Sequence, residues 1–117
     1  MAIVTGPGVV EVWMEVIALL TEAADLGVAQ VGRRPQHHSL ALGAELVVGK
    51  AVALLQEGDR ARLDEVALPP AAAEWSVPEL IVQAEMLLAT ISFDQLPARA
   101  SGVVIELGDL VGETRHG

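Results

Sequence analysis

The chain has 117 residues, enough for one domain with a core and too few for two. Hydrophobic residues make up 52% of it and charged residues 20%, which excludes a disordered polypeptide. The 16 acidic side chains against 7 Lys and Arg leave a net charge of -9 and exclude a basic surface for nucleic acid or anionic membrane, while the absence of cysteine removes disulfides, thiolate metal sites and cysteine nucleophiles.

The first residues, Met1 to Gly8, carry no basic segment of the kind that opens a secretory signal. Pro7 then leads an apolar-rich run that predicts a first helix over 7–26, with Gly27 as its C-cap. On this helix Glu11, Glu15, Ala18, Glu22 and Asp25 share a narrow arc, which reads as a solvated stripe. Val12, Trp13, Val16, Leu20 and their neighbours spread over half the circumference or more, wider than a simple core-facing stripe.

Residues 29–38 read as a connection, with Arg33, Arg34, His37 and His38 forming a solvated loop before the next helix. Arg33 followed five residues later by His38 also resembles the R-x4-H motif of HEPN ribonucleases, although here it sits between the first two helices. A second helix is predicted over 39–57. It is apolar on nearly every side, which places it centrally, packed all round. The longest apolar stretch, 39–55, is interrupted by Glu45 and Lys50 and is too short to span a bilayer. These features together predict a cytoplasmic protein. Lys50, the only lysine, reads as a snorkelling side chain or an ion-pair partner, with a neighbouring helix as one source of the acid.

Gly58 ends the second helix, and Asp59 is expected to N-cap a short charged helix over 60–67, stopped by Pro69 and Pro70. Residues 71–75 read as a connection or single turn. Ser76-Val77-Pro78-Glu79 is a capping box with proline in the first turn, opening a helix expected to run to Phe93. Trp75, just before it, is expected to staple the entry. Glu85 lies away from that helix's polar face and reads as buried with a partner or placed at a subunit interface. A last helix is predicted over 97–111, with Arg99, Glu106, Asp109 and Glu113 on one face and an end near Gly112. Paired valines at Val9-Val10, Val47-Val48 and Val103-Val104 would suit strands, but no segment alternates with period two.

The pattern therefore predicts an all-α fold: a single helical domain over 1–117, with four main helices and one short one. Mean hydropathy is +0.48, more apolar side chain than a small domain hides easily. Self-association is the expected resolution, as a homodimer or larger homo-oligomer. Its interface is expected to use Val12, Trp13, Val16 and Leu20 together with the second helix or the Ser76 helix. No complete catalytic constellation is present, so the expected function is a non-enzymatic regulatory or accessory protein without a cofactor. Its partner is then another copy or another protein, not nucleic acid or a membrane. Abundant Ala, Val and Leu with one lysine and six arginines fit a GC-rich bacterial gene.

Two E-x-x-D pairs, Glu22 with Asp25 and Glu106 with Asp109, each place carboxylates one helical turn apart. Leu42-Gly-Ala-Glu45-Leu followed by Leu55-Gln-Glu-Gly-Asp59 resembles the second helix of the all-α nucleotide pyrophosphohydrolases of the MazG-like group. Ile105-Glu-Leu-Gly-Asp-Leu110 is similar to their E-E-L-G-D-L segment. The resemblance implies a Mg²⁺-dependent nucleoside triphosphate pyrophosphohydrolase, with Glu45, Glu106 and Asp109 as the metal ligands. This chain lacks the family's E-x-x-E around Glu45, and its E-x-x-D lies too near the C-terminus for the helix that normally follows. The resemblance thus implies an incomplete metal site.

Overall fold

The computed structural model describes residues 6–29, 35–96 and 99–116. Their regular structure is entirely helical: α1 (Gly6–Ala29), α2 (Pro35–Ala53), the short α3 (Glu57–Arg60), α4 (Val77–Leu88) and α5 (Ala100–His116). Three 3₁₀ turns, Leu63–Glu65, Pro70–Glu74 and Phe93–Gln95, fill the connections. The valine pairs all lie in helices, since their buried members Val47 and Val103 meet neighbouring helices and not sheet partners.

The four long helices form a ring. α1 packs mainly on α2 and α4, and α5 closes the bundle diagonally across from α1 by packing on the same two helices. Gly27 of α1 lies against Ala41 of α2, while Trp13 at the other end of α1 reaches Ala51, so α1 and α2 run antiparallel. The centre is filled by Trp13, Val16 and Leu20 of α1, Val47 of α2, Leu80 and Ile81 of α4, and Leu107 of α5. Each large aliphatic side chain buried there contributes about 1.5–3 kcal/mol.

Several boundaries differ from the sequence expectation, each for a local reason. Gly27 does not end α1. It is the point of close approach to α2, where a Cβ would run into that of Ala41, and the helix continues through it. α2 begins and ends four residues earlier than predicted. Pro35 suits its first turn, and its last carbonyls are captured. The Trp13 indole Nε1 donates to Ala51 O at 3.0 Å, and Arg60 donates to Val52 O at 3.1 Å and Ala53 O at 3.2 Å.

Asp59 is not an N-cap. α3 starts after Gln56, which makes no side-chain cap bond, and Asp59 accepts instead from Arg62 at 3.0 Å. The segment predicted as one helix over 60–67 is split into α3 and a 3₁₀ turn.

The capping box forms as expected: Ser76 N donates to Glu79 Oε1 at 2.9 Å and Glu79 N to Ser76 Oγ at 3.2 Å. The half-buried Trp75 packs against the core just before it. α4 stops at Leu88, short of Phe93, because the Thr90 hydroxyl donates to Leu87 O at 2.6 Å and the backbone tightens into turns that bury Ile91. α5 runs past Gly112 to His116. Arg99 precedes α5 with a φ of 71°, so it does not share the helical face assigned to it.

Candidate functional site

The residues singled out for metal binding are not drawn together. Among the described residues no group of three or more His, Asp or Glu is placed to hold a metal ion. Glu45 projects from the exposed side of α2, Asp109 is exposed on α5, and Glu106 forms an ion pair with Lys50. The pairing of Lys50 with an acid on a neighbouring helix matches one of the sequence readings. It ties α2 to α5 at the surface, where such pairs contribute little stability. The acidic side chains Glu11, Glu22 and Asp25 are exposed and Glu15 is half-buried, as a solvated stripe requires.

The polar cluster before α2 is placed differently from the expectation. His37 and His38 belong to α2 and not to a loop, and His37 is buried. Arg33 and Arg34 lie outside the described residues, and with them the first half of the R-x4-H pattern.

Of the side chains expected at an interface, Trp13, Val16 and Leu20 lie inside the chain's own core, at 1% exposure or less. Val12 is partly buried against that core. The wide apolar surface of α1 is needed because α2 and α4 pack on it from two sides. It is therefore satisfied within one chain.

Among the described residues, exposed large apolar side chains stand singly on α1 (Val28), α4 (Met86) and α5 (Ile105), whereas α2 carries two, one turn apart. The sequence reading of a helix packed all round is not met, because a ring of four helices leaves α2 an outer side. Leu42 and Leu46 there are 48% and 65% exposed, and Gly49 and Ala53 continue the same face toward the C-terminal end. These four residues, with Glu45 and Lys50, line a shallow groove. At 100° per residue the four apolar positions fall within a band roughly 60° wide, with Glu45 on one edge and Lys50 on the other.

The spacing is that of one heptad register: Leu42 and Gly49 at d, Leu46 and Ala53 at a, Glu45 at g and Lys50 at e. This pattern is present in the sequence. It was obscured by further apolar side chains at Leu40, Val47 and Leu55, which point into the core. Once these and Ala41, Ala44, Val48, Ala51 and Val52 are assigned to the interior, Leu42, Leu46 and Ala53 remain with Gly49 as the outward stripe.

No helix among the described residues is long and apolar enough to cross a membrane. No protein family, curated protein or solved structure shows significant similarity to this chain.

Proposed function

We propose that this chain acts by association, as a non-enzymatic regulatory or accessory protein whose assembly unit is a pair of copies joined through the outer face of α2. The observation that carries this reading is the exposed stripe Leu42, Leu46, Gly49 and Ala53 with opposite charges on its two edges.

A second copy is the occupant that this stripe complements. In a parallel, two-fold arrangement of two α2 helices, Glu45 at a g position faces Lys50 at the following e position of the other copy, and the same contact repeats across the axis. The two leucines supply the apolar contact, and Gly49 and Ala53 let the backbones approach. Lys50 is already held at the helix edge by Glu106, so pairing needs only a small reorientation of its ammonium group.

Sedimentation velocity over a wide concentration range tests the reading. The wild-type chain should sediment as a dimer at micromolar concentration, and Leu46→Glu should sediment as a monomer with unchanged helical circular dichroism. A wild-type chain that remains monomeric at high concentration, or a Leu46→Glu variant that remains dimeric, overturns it.

A further inference from the structure

A separate feature lies where the C-terminal end of α4 meets α5. A cavity of about 300 Å³ opens there, lined by Glu85, Leu88, Ala89, Ile91, Leu96 and Val104. Among the described residues its lining is aliphatic apart from Glu85. The Glu85 carboxylate is placed over Gly108 of α5, where even an added Cβ would remain 3.8 Å from its Oε2.

Glu85 is half-buried, and among the described residues no hydrogen bond or ion pair engages its carboxylate. Among the described residues no cationic side chain forms an ion pair with it. Lys50 is paired with Glu106, Arg62 with Asp59, and Arg60 is spread over the carbonyls at the end of α2. An apolar pocket with a single unpaired acid on its wall is complementary to an apolar body carrying one positive charge.

We propose that this cavity is a binding site for a small organic amine: an ammonium group donating to Glu85, attached to a compact hydrocarbon or aromatic body seated against Leu88, Ile91 and Val104. The size fits. At about 30 Å³ for each non-hydrogen atom the cavity accepts a ligand of about ten such atoms, the lower end of the range of ligand pockets. Binding is non-covalent and involves no group transfer. It is independent of the α2 face, which lies on another helix.

The test uses the full-length chain and three probes of similar shape: 2-phenylethylamine, the neutral 2-phenylethanol and the anionic 3-phenylpropionate. Each is titrated and followed by amide chemical shifts in two-dimensional NMR. The amine should bind about tenfold more tightly than the alcohol, as expected for one charged hydrogen bond at a half-buried site. The propionate should not bind. Shifts should centre on residues 85–91 and 104–108. Glu85→Gln, nearly isosteric, should bring the amine down to the affinity of the alcohol. Ala89→Trp, at an exposed rim position, should block both the amine and the alcohol while leaving the fold intact. Equal binding of amine and propionate, unchanged amine affinity in Glu85→Gln, or no amine binding to the wild-type chain overturns the proposal.

Discussion

Gly27→Ala is the most informative single substitution, because two effects of opposite sign meet at it. In the interior of an isolated helix the change is favourable by about 1 kcal/mol. Here, however, Gly27 is buried where α1 crosses α2. The new methyl would collide with the Ala41 Cβ and lie 2.9 Å from the His37 carbonyl oxygen. Both obstacles are fixed to the α2 backbone, so no flexible side chain can yield and the helices must part. Overpacking of this kind costs about 1–3 kcal/mol, and more where backbone has to shift. The contact disturbed is the most extensive helix pair of the bundle, which places the cost at the upper end. The net result is a loss of about 1–2 kcal/mol, or a fall in Tm of about 5–10 °C for a domain of this size. Gly112→Ala is the internal control. It lies within α5 with nothing within 4 Å of its added Cβ, so it should gain about 0.5–1 kcal/mol and raise Tm by a few degrees. Thermal unfolding followed by far-ultraviolet circular dichroism reads both. A Gly27→Ala variant melting at or above the wild-type temperature would refute the α1–α2 crossing at this residue.

Two further outcomes follow from single contacts. Trp13→Phe removes the only side-chain donor to Ala51 O among the described residues and leaves a small cavity. The Leu54 N–H still approaches that carbonyl at 3.2 Å, so the cost should be about 2 kcal/mol, and a Tm within a degree or two of wild type would argue against a buried indole bond. At the start of α4, the Ser76 backbone N–H and then its hydroxyl hold the Glu79 carboxyl below its ordinary value of 4.5, against a small opposing effect of burial. Because the folded value is the lower one, this contribution is fully present above about pH 4.5 and is lost as the pH falls through the depressed value. Stability measured by urea unfolding should therefore decline less steeply below pH 4.5 in Glu79→Gln than in wild type, and parallel profiles would count against the charged capping box.

The existence of each main helix was legible in the sequence, as was the Ser76 capping box, since both rest on contacts three or four residues apart. For Lys50 the sequence left snorkelling and ion pairing open, and the packing of α5 beside α2 decides for the ion pair with Glu106. Other positions were not legible. Gly27 and Gly112 have the composition of helix ends, yet neither stops its helix: one is a crossing point and the other simply continues α5. Asp59 looks like a cap, but Arg60 reaching back to the α2 carbonyls decides where the chain turns. The carboxylates Glu45, Glu106 and Asp109 share spacing with a metal motif, but Glu106 is turned toward Lys50.

By itself the sequence determined that this chain is helical, acidic, and richer in apolar side chains than one helical face of each element requires. Which apolar side chains are hidden was decided only by the tertiary structure. Trp13, Val16 and Leu20 go inside because α2 and α4 cover α1 from two sides, whereas Leu42 and Leu46 stay outside because α2 has neighbours on its inner side alone. Helix formation is governed by hydrogen bonds within a few residues of one another, but burial depends on what a distant part of the chain brings across the gap, and periodicity along one helix carries no record of that.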